Sequence, residues 1–254
     1  MTAKNVVSSV DKTSPQQGHL GDPQLSWREV ISIYANPRVI AMAFLGFSGG
    51  LPFLLVFSTL SAWLREAEVS RSTIGFFAWV GITYSIKVFW APVVDRLRLP
   101  VIGALGRRRS WILVAQVGIA LGLLGMSMIG AQDLLLLSLF AVLVAFSSAT
   151  QDIAIDAYRI EAVADRYQGA MSAAYIFGYR VALLVAGAGA FYLAEYLGWT
   201  LAYQVMAGLM LIGIATVLVI REPAASGMVE QIADDQIVRA YLAKSGYLPL
   251  RVQR

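Results

Sequence analysis

A chain of 254 residues that is 58% hydrophobic and only 14% charged cannot hide its apolar side chains inside one water-soluble core, because a fold of this size keeps a large surface that must be polar in water. Cysteine is absent and the single histidine, His19, lies in a polar tail, which excludes disulfides, thiolate metal sites and histidine-based acid–base chemistry at depth. No metal site and no cofactor is expected, and the net charge of +4 is explained below by topology, with no nucleic-acid partner.

Residues 1–38 read as a cytoplasmic N-terminal tail, polar up to Ser26, with Trp27 to Arg38 able to lie as a short interfacial helix carrying Trp27 and Tyr34 at headgroup depth. Residues 39–220 then hold apolar stretches at Val39–Leu64, Ile74–Val94, Trp111–Ala131, Leu134–Ile155, Ala170–Leu193 and Gly198–Ile220, each long enough for the ~20 residues of a bilayer span. Runs so long and so uniformly apolar pair their amides internally as helices and do not fit barrel strands. Six transmembrane helices follow. Residues 221–254 turn polar beyond Pro223 and read as the start of a cytoplasmic connector.

Lys and Arg distribute unevenly between the two sides. The first tail holds Lys4, Lys12, Arg28 and Arg38, the loop after the second helix holds Arg96, Arg98, Arg107, Arg108 and Arg109, the loop after the fourth holds Arg159 and Arg166, and the last tail holds five more; the other side has only Arg65 and Arg71. Positive segments stay on the cytoplasmic side, so both termini are expected there.

Within the spans the ionised residues are Lys87, Asp152 and Arg180, with Asp156 just past the fourth. Charge at such depth is costly unless paired or hydrated. The plain alternative is a set of structural ion pairs, since two cations and two carboxylates sum to zero. The sharper reading is a polar cavity in which Lys87 and Arg180 attract anionic substrate groups while Asp152 or Asp156 exchanges a proton. Asp152 and Asp156 share one helix face, so either one is protonated part of the time or a cation from the second or fifth helix neutralises the pair. Gln151 and Tyr158 flank these carboxylates with neutral hydrogen-bonding groups, and Tyr179 beside Arg180 joins the candidate binding residues; Trp90 reads first as a span-end anchor, but with Tyr84 on the same helix as Lys87 it could also stack on a sugar ring.

Gly46, Gly49, Gly50 and Pro52 interrupt the first helix. They predict either a hinge at Gly49, Gly50 and Pro52, with a kink near Gly50, or close packing through small residues. The run Ala186 to Ala190 in the fifth helix reads as packing. If the spans form two inverted repeats of three, helices one and four correspond, which is where broken or polar helices mark binding sites.

The loop Asp95-Arg96 followed by Gly106-Arg107-Arg108-Arg109 resembles, with several residues inserted, the signature loop of the major facilitator superfamily. In that superfamily the acid and the arginines latch two bundles together at a cytoplasmic gate. Four longer stretches resemble one branch, the AmpG muropeptide permeases: Gly46–Leu64 (GFSGGLPFLLVFSTLSAWL), Thr73–Arg96 (TIGFFAWVGITYSIKVFWAPVVDR), Ala145–Arg159 (AFSSATQDIAIDAYR) and Phe177–Trp199 around GYR. The resemblance runs from about Pro37 to Pro223. It implies an all-α integral membrane fold, the amino-terminal six-helix half of a carrier with 3+3 inverted repeats. It further implies proton-driven import of anhydro-muropeptides across the inner membrane, with protons, the lipid bilayer and a second six-helix bundle as partners.

Such carriers rock two halves about a midplane site. A truncated product is therefore expected in preference to an assembly of two copies, with this chain not sufficient for transport alone. Competing readings are a carrier for acetyl-CoA or another anionic solute, and a non-transporting membrane-bundle subunit. An intramembrane aspartyl protease would need facing aspartates on different helices, whereas the deep carboxylates here share one.

Overall fold

A computed structural model describes residues 27–223, apart from 101 and 164. The greater part of the expected tail (residues 1–26) and of the expected connector (from 224) lies outside the described residues. An amphipathic helix, Trp27–Tyr34, precedes the bundle with Trp27 exposed, as the interfacial reading requires. Asn36 then caps the next helix by accepting a hydrogen bond from the Arg38 amide, with Pro37 in the first turn, where its missing N–H costs nothing.

Among the described residues, six helices are long and apolar enough to cross a membrane: span 1 (Pro37–Glu66), span 2 (Arg71–Phe89), span 3 (Arg107–Ile129), span 4 (Leu134–Ala162), span 5 (Tyr167–Leu197) and span 6 (Trp199–Val219). Among the described residues there is no strand. The chain is a multi-pass, all-α membrane protein, as its composition demands.

Neighbour relations follow an internal symmetry. Span 1 packs on span 5 as span 4 packs on span 2, and span 3 packs on span 4 as span 6 packs on span 1; spans 3 and 6 meet each other, as do spans 1 and 4. Exchanging spans 1, 2 and 3 for 4, 5 and 6 leaves these relations unchanged, as two repeats of three would, whereas the packing of spans 5 and 6 on each other has no counterpart of its extent between spans 2 and 3. The interior holds two apolar clusters, one with Leu51, Leu55, Leu123 and Met206 and the other with Met42, Leu45, Ile155 and Tyr158, and polar side chains such as Ser48, Gln116 and Gln151 are buried with them.

Three details depart from the sequence expectation. Span 1 stays helical through Gly49, Gly50 and Pro52 and breaks instead at Phe57, whose φ and ψ are −114° and −98°. The Tyr203 hydroxyl, 2.8 Å away, donates to the Leu55 carbonyl beside that break. Span 4 runs on to Ala162 rather than ending at Ile155; 29 residues rise about 43 Å, more than the ~30 Å hydrocarbon core, so its last turns project into water, where charged residues are no obstacle. Span 2 is not one α-helix, since 3₁₀ turns at Ala78–Gly81 and Ile86–Phe89 interrupt it. In span 5 the small residues do pack, but through a π-turn at Val185–Gly189, where the Ala186 carbonyl accepts from Thr59 Oγ1 of span 1 at 2.9 Å.

Candidate functional site

Asp152 is the centre of the polar constellation. Its carboxylate lies 3.9 Å from the Lys87 ammonium of span 2 and accepts, at 3.5 Å, from the Tyr175 hydroxyl of span 5. Both distances are at the outer limit of such contacts, and neither side chain is sealed: Lys87 is 38% and Asp152 23% exposed. Lys87 can hold this position because it sits in the second 3₁₀ turn of span 2.

Gly49 explains how span 5 reaches the site. A Cβ on Gly49 would stand 2.9 Å from the Tyr175 hydroxyl and 3.7 Å from Asp152 Oδ1, while one on Gly50 would stand 2.6 Å from the Tyr179 carbonyl oxygen. From the facing side, a Cβ on Gly178 would collide with the Ala43 carbonyl. Close packing of spans 1 and 5 is therefore what the small residues achieve, and it brings Tyr175 within reach of Asp152.

The remaining candidates divide. Asp156 stands one turn along span 4, exposed, with its own cation, Arg159, at 3.5 Å; Arg159 in turn donates to Ser172 Oγ at 2.6 Å. The expected sharing of one cation between Asp152 and Asp156 is replaced by one partner each. Arg180 is exposed and has no ion pair or hydrogen bond with a described residue. Tyr179, half-buried, lies beside Tyr175 with ring centroids 6.1 Å apart and the rings tilted by 40°.

Gln151 is not on this face. It is fully buried and points into the bundle, where its amide and that of Gln116 both donate to Ser48 Oγ, at 3.2 and 3.0 Å, joining spans 1, 3 and 4. Tyr84 belongs to an aromatic group with Phe53 and Phe57. Trp90 rests on span 4, 4.9 Å from the Phe146 ring and donating to Thr150 at 3.2 Å. One indole face is thus already occupied.

A second cluster lies at the arginine-rich end. Arg108, with a side chain only 7% exposed, meets Asp95 at 2.7 Å and Glu161 of span 4 at 2.6 Å, with Arg107 3.6 Å from Glu161. The Glu222 carboxylate accepts from the Arg108 and Arg109 amides at 2.8 and 3.1 Å, capping span 3 where the Gly106 φ of +109° turns the chain. Arg109 donates to the Val217 and Leu218 carbonyls that end span 6. Arg96 is exposed. The expected latch residues thus tie spans 2, 3, 4 and 6 of one bundle together, through Glu161 and Glu222, which the motif alone did not reveal.

The model of the family described as acetyl-coenzyme A transporter 1 matches residues 39–194, a stretch that contains the first cluster and the second apart from Val217, Leu218 and Glu222. The chain belongs to this transporter family. It is 36% identical over 196 residues to putative transporter AmpG 4 of Rickettsia conorii, covering 76% of this chain and 47% of that protein. To the anhydromuropeptide permease of Escherichia coli it is 35% identical over 213 residues, covering 83% and 43%. The chain spans about half the length of the curated relatives it matches. The resemblance to AmpG-type permeases is borne out by these relatives, and the family is one of transporters and not of enzymes.

Proposed function

We propose that this acetyl-coenzyme A transporter 1 family member is the first half of a proton-coupled carrier that imports anhydro-muropeptides across a bacterial inner membrane, both termini cytoplasmic. The observation that carries the proposal is the loose Lys87–Asp152–Tyr175 contact on a half-open face, with Arg180, which has no ion pair among the described residues, on the same span as Tyr175. A muropeptide carries carboxylates and sugars, so cations and hydroxyls along a hydrated wall suit it.

With Asp152 ionised, its charge holds Lys87; a proton on Asp152 removes that attraction and frees the ammonium for a substrate carboxylate. Arg180 supplies a second, fixed cation, with Tyr179 beside it. A second six-helix bundle closes the cavity, in keeping with the share of its relatives that the chain spans and with the two halves that alternating access requires. Gly49 and Gly50 give spans 1 and 5 a close contact along which they slide, the break at Phe57 lets span 1 bend, and Asp95 with Arg96 and Arg107–Arg109 forms the cytoplasmic gate.

Uptake of labelled anhydro-muropeptide is measured in cells lacking their own permease, with the chain alone and extended by a second bundle. The extended protein takes up substrate under a proton gradient, and D152N or R180Q abolishes uptake without changing insertion. Retained uptake in both variants rejects these roles. The family match favours acetyl-CoA or another anionic solute as the second reading; acyl-CoA outcompeting muropeptide in vesicles would establish it.

A further inference from the structure

Between spans 1 and 6, at the arginine-rich end, lies a groove of about 690 Å³ that the transport site does not use. Its walls are apolar, formed by Ile40 and Phe44 of span 1 and by Ala215 and Val219 of span 6. Arg38 and Arg221 stand on its lining at the end where the spans meet water. Neither arginine has a carboxylate within ion-pair distance among the described residues. Glu222, the next residue, is committed to the Arg108 and Arg109 amides.

Arg38 is held through its side chain and Arg221 through its backbone. The Arg38 guanidinium donates to the Ala162 carbonyl through one nitrogen, and its other donors meet no acceptor among the described residues. The Arg221 backbone is anchored by the Tyr158 hydroxyl, which donates to its carbonyl at 3.2 Å. The surface around the groove is lipid-facing in character, since the exposed side chains of span 6 include Leu201, Val205, Leu211, Leu218 and Val219 and the span holds no charged residue.

We propose that this groove holds an anionic phospholipid. One acyl chain lies along the apolar walls and the phosphodiester bridges Arg38 and Arg221, because paired guanidinium groups at the end of an apolar cleft match a phosphate above a hydrocarbon tail. A zwitterionic lipid of the same chain length fits the walls equally but brings its own cation to a site that already has two. Soluble phosphate matches the arginines but gains nothing from the walls.

The test is native mass spectrometry of the purified protein released from micelles doped with phosphatidylglycerol or phosphatidylcholine of identical chains, with glycerol phosphate as the soluble competitor. Phosphatidylglycerol is expected to be retained in preference. R221Q should lower that retention roughly fivefold, the equivalent of ~1 kcal/mol per cation, and A215W, which fills the groove without touching either charge, should lower it as well. R38Q repeats the charge test, and R221Q carries it if loss of the Ala162 contact unfolds the R38Q protein. Equal retention of the two lipids, displacement by glycerol phosphate, or unchanged retention in both R221Q and A215W would overturn the assignment, as would an empty groove covered by another part of the protein.

Discussion

Lys87 and Asp152 face each other at 3.9 Å from spans 2 and 4, each partly open to the outside of the bundle. A pair this long gains less from attraction than a close one, yet an unpaired charge at this depth is costly. Removing Lys87 alone should therefore hurt more than removing both charges. K87M is expected to be less stable than K87M/D152N, with a coupling of roughly 0.5–3 kcal/mol, read from unfolding in mixed micelles. Additive losses would mean that the two residues do not sense each other.

The glycines between spans 1 and 5 should separate into two kinds. A methyl at Gly178 meets backbone, which cannot move aside, whereas one at Gly49 meets the end of the Tyr175 side chain. G178A should lose roughly 1–3 kcal/mol or more and yield little monodisperse protein. G49A should fold, but with Tyr175 displaced from Asp152, seen as impaired uptake in the two-bundle protein. G208A, where a Cβ meets nothing within 4 Å, serves as the control and should behave as wild type.

Existence and order of the six spans are legible in the sequence because hydrocarbon demands long apolar runs and tolerates little else. Facing is not. Span 4 is apolar on nearly every side, so periodicity cannot tell that Gln151 turns inward while its neighbour Asp152 turns outward. The extension to Ala162 escapes for a related reason: Asp156 and Arg159 signal exit from lipid, not the end of a helix. Glu161 and Glu222 left a trace, since each acid stands just beyond the apolar stretch of its span on the side that carries the arginines, and a buried Arg108 needs a counter-charge. The 3₁₀ turns that set Lys87 toward Asp152 left none that hydropathy could register.

Ser48 is the shared acceptor for two buried amides, Gln116 and Gln151, and its own hydroxyl donates to the Leu45 carbonyl. S48A strands two donors where water does not reach, at a cost of about 1–3 kcal/mol each. Replacing all three polar groups removes the need for partners, so S48A/Q116L/Q151M should recover much of the loss in thermal unfolding. If S48A alone is neutral, the network does not hold spans 1, 3 and 4 together.

Arg108 distributes its charge unequally between two carboxylates. Glu161 faces Arg108 Nε through both oxygens and Nη2 through one, is 22% exposed and is also approached by Arg107; Asp95 makes a single contact and is 47% exposed. Solvent screens the Asp95 contact, so D95N should cost less than ~1 kcal/mol and its effect should vanish at about 1 M salt, where the Debye length is ~3 Å. E161Q leaves a buried guanidinium short of its main partner and should cost roughly 3 kcal/mol, with little relief from salt. Unfolding midpoints of both variants at low and high salt decide the point. A larger effect for D95N would mean that Arg108 serves the loop after span 2 before it serves span 4.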